Sequence, residues 1–505
     1  MGQSLTDLEA GPVLTPGSWR LLDLRRVVPV GVLPKMRRPR SSRRRRPFLS
    51  SLHSVPAFLA VSLALLLCLV SVLLLVCCLA CHPHRPCHSF TKLVASVVLQ
   101  LPNMMRDLFP AGFLSLLLSS LAGPAPAAAT VLFASSYSGA ITTLNFTLSG
   151  NNGTQSTLQN ISTSNGCAPS PSWLTLDKPN AKLYCTDEGL TTDHGTVSSF
   201  TTGPDGKLEQ LSKVDTISGP VSAVLFGEKG AGLAVAQYGG SSLSWFDISN
   251  PAAITPVKSE TFNMTGPGPN PSRQEAPHPH EVVLDPKGHF VLVPDLGADL
   301  VRVFAVDGKN LAAVEPLVAA PGSGPRHLEF LVTSEGKTYM YLIAELANTV
   351  TAYDVTYREN KTLGFEEVYS GSTYGAGNTA PAGASGAEIW ISSDGKFLTV
   401  SSRNDSAFSI TNPDTNEGAQ IPSDSLNSFT INAETGELTL LQKFPAGGRI
   451  PRQFSVNKAG SLVAVGLQSD SRVVLISRDA VSGKLGEIIA STKVEGEVTA
   501  VIFDE

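Results

Sequence analysis

Basic residues are scarce over most of this chain. Its 505 residues hold 38 Lys/Arg against 43 Asp/Glu, a formal net charge of −5. Residues 1–129 take 14 of the bases and 4 of the acids, which leaves 24 against 39 for residues 130–505. The leader therefore carries a balance of +10 and the body one of −15. An acidic body lacks the basic face that nucleic-acid binding needs. Cysteine is scarce in the body too. Cys68, Cys77, Cys78, Cys81 and Cys87 lie upstream, and only Cys167 and Cys185 belong to residues 130–505. In an exported protein this pair suggests one disulfide, with two free thiols as the alternative. Long apolar runs are also missing from the body. Its apolar stretches are short and set among Gly, Ser, Thr and Val, which predicts an all-β fold.

The leader reads in parts. Residues 1–54 are basic and read as an unstructured tail, with Lys35–Arg46 (KMRRPRSSRRRR) the densest stretch. Val55–Cys81 runs 27 residues without a charge, enough for a transmembrane helix, which takes about 20. The flanking arginines should stay cytosolic, so the body should face the lumen or the outside. Cys77, Cys78, Cys81, His82 and His84 mimic zinc spacing but lie mostly in this apolar span. Residues 104–129 form a second export signal: Arg106, an apolar Phe113–Leu121 and a small-residue end at Ala127–Ala129. Either the upstream residues anchor the protein, or translation starts at Met104 or Met105 and the mature chain opens at Thr130. Both routes predict export, as do sequons at Asn145, Asn152, Asn160, Asn263 and Asn360, with a sixth at Asn404 inside a strand-end motif.

The body is repetitive. Apolar strands that end on a polar or aromatic residue before a turn recur at Tyr137, Asp187, Gln237, Asp295, Glu345, Arg403 and Gln468. The steps are 50, 50, 58, 50, 58 and 65 residues, the size of a four-stranded propeller blade. Most units have a preceding strand with a Gly turn (VVLDPKG, IWISSDG, FSVNKAG) and a following one (LVRVFAVD, TVTAYDV). The first unit lacks its leading strand, and the chain ends on an unpartnered VTAVIF at Val498–Phe503. The C-terminal strand should therefore complete the first blade. This predicts a seven-bladed β-propeller over residues 130–505, closed by pairing of its N- and C-terminal strands.

Strand direction then places chemistry. The first strand of a blade lines the channel, and the second runs back to the same end. First-strand starts carry His280, Arg326, His327, Glu388, Arg452 and Gln453. Second-strand ends carry Gln237, Asp295, Glu345, Arg403 and Gln468. All are expected at one channel mouth. Guanidinium groups bind carboxylate or phosphate in bidentate fashion, and His and Glu transfer protons near neutral pH. The set suits a small anionic substrate. A propeller that only binds a ligand or a partner protein is the alternative. The residues set no oligomeric state.

The motifs PHPHEVVLDPKG, VPDLGAD, GSGPRHLEF, AEIWISSDGKF, SSRND and PRQFSVNKAG resemble, in order, those of the seven-bladed propeller lactonases. That family includes bacterial 6-phosphogluconolactonase and fungal 3-carboxy-cis,cis-muconate cyclase. The likeness covers about Thr130 to Glu505 and suggests a secreted fungal type. It implies catalysis by His280, Arg326, Glu345 and Arg403, with His280 or Glu345 moving the proton. His327, Asp295, Glu388, Arg452, Gln468 and Gln237 would then bind substrate. It also implies no metal and no cofactor, unlike calcium-dependent lactonases of other propeller families. Lactone hydrolysis and muconate-type cycloisomerisation both remain open on this resemblance.

Overall fold

The computed structural model describes residues 130–149, 155–167, 169–414 and 418–505. The expected tail 1–54, the span 55–81, the signal-like segment 104–129 and the sequon Asn152 lie outside the described residues. Among those described, no helix is long and apolar enough to cross a membrane.

Seven four-stranded antiparallel sheets follow one another along the chain. Blade 2 shows the pattern: Pro171–Asp177 is innermost, then Lys182–Asp187, Gly195–Thr202 and an outermost Leu208–Thr216. Blades 3, 4, 5, 6 and 7 begin with Pro220–Phe226, Val283–Leu284, Pro325–Val332, Ser385–Ile391 and Pro451–Val456. Blade 1 takes its innermost strand from the other end of the chain. Val498–Phe503 pairs with Thr130–Ser136, with Ala134 opposite Val501. The closure expected from the two incomplete ends is the one observed. Blade 6 carries an additional hairpin, Phe408–Thr411 with Gln420–Ser423.

The core is divided among the seams. Leu174 and Leu183 of blade 2 pack on Phe133 and Ile141 of blade 1. Equivalent buried clusters fill seams 2–3, 3–4, 4–5, 5–6 and 6–7. A seventh joins Val473 and Leu475 of blade 7 to Leu132, Val498 and Val501 of blade 1. Each sheet is covered on both faces, so its strands are apolar without strict alternation. Seven seams for seven blades leave no apolar face for an eighth.

The turns follow from local chemistry. In the Asp285–Gly288 turn, Asp285 accepts from the N–H groups of Lys287, His289 and Phe290 at 2.9, 2.6 and 2.5 Å. Gly288 adopts φ 70° there, where a Cβ would be strained. Cys167, at the blade 1–2 junction, is bonded to Cys185 in the second strand of blade 2, with Cα atoms 5.9 Å apart. Asn160, Asn263, Asn360 and Asn404 are exposed. Asn145 is the poorest acceptor: it sits half-buried within Ile141–Ser149, and its side-chain oxygen is shielded.

Candidate active site

A β-bulge near the start of the inner strands builds the mouth. In blade 2, Pro171 faces Asp187 and Trp173 faces Thr186, so Ser172 has no partner of its own. The same shift leaves over Val221, Arg326, Arg452 and Thr499 in blades 3, 5, 7 and 1. In blade 4, Pro279 bridges Asp295 while Val283 pairs with Leu292, which leaves one residue extra between them. His280 follows the proline there. Proline has no N–H for the ladder, so pairing is weak where it opens a strand. A bulge then turns its extra side chain out of the ladder. All six of these side chains line one narrow cleft, with Trp173, His327 and Gln453. A wider surface groove beside Asn348 and Thr379 contains no ionisable group, so the chemistry belongs to the smaller space.

Some bulge residues stitch blades together. Thr499 Oγ1 donates to Pro171 O at 2.7 Å, and Ser172 Oγ donates to Pro220 O at 2.6 Å. His280 is different. Its backbone N–H donates to Pro294 O at 2.9 Å, yet ring Nδ1 is buried without a hydrogen-bond partner. Such an orphan costs about 1–3 kcal/mol and calls for an explanation. Burial, then the charges of Arg326, His327, Arg452 and Arg403, push this imidazole well below its ordinary range. It is therefore neutral near pH 7, with one nitrogen lone pair available.

Glu345 is the hub of three arginines. Its Oε2 accepts from Arg326 Nε at 3.0 Å and lies 2.7 Å from Arg403 Nη2. Its Oε1 accepts from Arg273 Nη2 at 2.6 Å. Burial alone would raise this carboxyl, but Arg403, Arg326 and Arg273 together hold it down at about 2. Arg326 also donates to Ala387 O at 2.6 Å. Burial, then the nearby charge of Arg403, draws its guanidinium down to about 9 in spite of Glu345. Arg403 donates to Gly386 O at 3.0 Å, and its buried Nε has no partner. On the far wall Arg452 donates to Tyr137 Oη at 2.6 Å and to Glu188 Oε1 at 3.0 Å.

His327 on the cavity wall, with Glu281 and Glu388 beside it, lies close enough to them to hold a metal ion, with ligand atoms within 4.8 Å of one another. Proton placement argues against that use. Arg326 Nη1 lies 3.2 Å from His327 Nε2 and can only donate, so Nε2 accepts. The ring proton is then on Nδ1, donated to Glu388 Oε1 at 2.8 Å, and no lone pair is left there for a metal. Glu388 thus fixes the His327 tautomer. Burial, then Glu388, raises Glu281 well above the usual carboxylate range, which favours its protonated form.

The structure brings His280, Arg326, Glu345 and Arg403 to one end, with His327 and Arg452 on the cavity wall. Three expected substrate-binding residues are not there. Gln237 is fully buried inside blade 3, bonded to Thr216, Ser242 and Ser244. Asp295 accepts from the backbone N–H groups of His278 and Ala298 and pairs with Arg302, so it pins its own blade. Gln468 reaches Glu497 on the rim. Glu388 lies behind His327 rather than on the cavity wall. Three guanidiniums keep Glu345 ionised, which leaves it a weak base. Sequence reasoning missed Arg273, Tyr238, Glu188 and Glu281. The signal for Arg273 was a longer step, 58 residues from Gln237 to Asp295 instead of 50.

Seven blades around a polar, arginine-lined mouth put this chain in the class of propellers that gather their chemistry at one end of the channel. Within that class, residues 131–503 match the family model "Lactonase, 7-bladed beta-propeller", and the chain belongs to that family. It is 32% identical over 381 residues to a "Probable 6-phosphogluconolactonase" of Arthroderma benhamiae, covering 75% of this chain and 90% of that one. A "6-phosphogluconolactonase" of Formosa agariphila is 29% identical, covering 64% and 86%. Among solved structures, a putative 6-phosphogluconolactonase from Bacteroides fragilis superposes with a TM-score of 0.60 at 25% identity, covering 74% and 98%.

Proposed function

We propose that this protein hydrolyses small anionic lactones of the sugar-acid type. The observation that carries the reading is an unpartnered, neutral His280 facing the same cavity as Arg326, whose buried charge an anion would complement. The names of the relatives support lactone hydrolysis and lend nothing to cycloisomerisation. In this reading the lactone carbonyl lies against Arg326 and Arg403, with His280 as general base. His280 takes a proton from water as the water oxygen attacks the carbonyl carbon. Negative charge moves to the carbonyl oxygen, where Arg326 stabilises it. The ring C–O bond breaks as the carbonyl re-forms, and the proton returns from His280 to the departing ring oxygen. The product is the open hydroxy acid, which loses its carboxyl proton to solvent. Glu345 carries no proton; it aligns the arginines.

Export is part of the proposal, supported by the Cys167–Cys185 pair and the exposed sequons. A substrate met outside the cytosol is then a sugar-acid or aromatic-derived lactone. Treatment of the native protein with an endoglycosidase should lower its mass; no change would leave export without the support of its sequons.

The deciding assay follows lactone opening by the purified chain. Arg326→Ala should reduce kcat/KM about 10²–10³-fold, the usual effect of removing an oxyanion donor, with far-UV circular dichroism unchanged. Unaltered kinetics would remove Arg326 from the site.

A further inference from the structure

Residues 262–282 form the longest junction between blades; the other junctions take 3 to 12 residues. This strap joins blades 3 and 4. It is rich in Pro and Gly (TGPGPNPSRQEAPHPH), yet it is firmly held. Gln274, fully buried, donates from Nε2 to Leu296 O at 3.0 Å and accepts from Asn270 N at 3.0 Å. Its backbone O accepts from Gly268 N at 2.8 Å. Gly297 passes so close beneath that a Cβ there would lie 1.8 Å from Ala276 O. His278 stacks on Tyr238 with ring centroids 4.1 Å apart.

The strap delivers one cation to the site. Arg273 Nη2 donates to Glu345 Oε1, and it lies 3.4 Å from Tyr238 Oη. Its Nε and Nη1 have no hydrogen-bond partner among the described residues. The three arginines on Glu345 form a series from floor to solvent, with side chains 2%, 16% and 40% exposed for Arg326, Arg403 and Arg273. One carboxylate meets three guanidiniums, so positive charge is in excess around Glu345. Arg326 lines the cavity where the lactone is read to react, and Arg403 meets it on Glu345. Arg273 stands further out, toward the part of a substrate remote from its carbonyl.

We propose that Arg273 is a specificity residue that binds a second anionic group, carboxylate or phosphate, on the lactone substrate. The inference rests on the lactonase reading above. Because the strap is pinned by Gln274, the guanidinium is already in place before substrate arrives, and little ordering cost falls on binding. An exposed cation at a site rim contributes to selectivity between substrates and to their capture.

The test compares Arg273→Gln and Arg273→Lys with the unaltered chain on three lactones: glucono-δ-lactone, which is neutral, 6-phosphoglucono-δ-lactone, and glucaro-1,4-lactone, which carries a carboxylate. For Arg273→Gln, the ratio of kcat/KM on a charged lactone to that on the neutral one should fall about 10- to 100-fold, the worth of a charge-assisted hydrogen bond. The loss should fall on KM, and Arg273→Lys should recover part of it. The larger fall, on phosphate or on carboxylate, names the group recognised. Equal losses on all three lactones would show that Arg273 acts only through Glu345 and would overturn the proposal, as would no loss. If the unaltered chain opens none of them, the lactonase reading fails and calorimetry decides this one. Weaker binding of 6-phosphogluconate or glucarate by Arg273→Gln, with gluconate unaffected, would uphold a second-anion subsite; identical affinities would overturn it.

Discussion

Glu345 carries one negative charge among three guanidiniums, and its loss would leave all three without their shared partner. Breaking a buried ion pair from one side costs about 3–5 kcal/mol. Glu345→Gln should therefore lower unfolding stability by about that amount at pH 7, measured by urea titration, and added phosphate should restore part of it. The sign with pH follows from the depressed carboxyl. Its contribution is fully present above about pH 4.5, the unfolded value, and disappears as pH falls through about 2. The gap between the two proteins should close over that range. His280 makes the opposite kind of statement. In the proposed reaction its neutral form is the active one, and its titration lies well below the usual 6.5. A profile of kcat/KM should stay level down through pH 6.5 and fall only on the acid side of it. His280→Asn should cost at least about 10²-fold and abolish that acid limb. A limb centred above pH 6.5 would count against His280 as the base.

At the scale of strands and loops, the working unit is a proline followed by a bulge. Pro-Ser, Pro-Val, Pro-His, Pro-Arg and Pro-Arg open the inner strands of blades 2, 3, 4, 5 and 7, and each second residue reaches the cavity. The sequence displayed these dipeptides, and strand direction placed them at the right end. It did not display the bulge, which is set by pairing with a strand some twenty residues on. Strand ends were read correctly as positions and less well as roles. Asp295 and Glu345 are equivalent in the repeat, but the shorter acid reaches back to its own backbone while the longer one extends to the arginines. The disulfide belongs to this scale as well. It closes a loop with a sequence separation of 18. Replacing both cysteines by serine should cost about 3 kcal/mol, read as a lower denaturant midpoint with an unchanged slope.

For the molecule as a whole, stability depends on closing the ring. Val498, Val501 and Phe503 belong to the seam between blades 7 and 1, and their strand covers the edge of Thr130–Ser136. Deleting residues 498–505 should leave an open edge and an unfilled seam. The expected outcome is loss of cooperative unfolding and gain of aggregates by light scattering, because an unpaired edge pairs with other chains. A monomeric truncated chain with an unchanged midpoint would show that the closure contributes nothing.

The amino-acid sequence by itself determined the number of blades, the strand that closes them and the end of the channel where polar groups collect. These follow from period and strand direction, which are local properties repeated along the chain. Only the tertiary structure decided which of those polar groups face the cavity, that Glu345 is shared by three guanidiniums, and that Arg273 is one of them. Those outcomes depend on which side chains from separate blades meet in a buried space, and on the charges each finds there. No spacing along one strand records that.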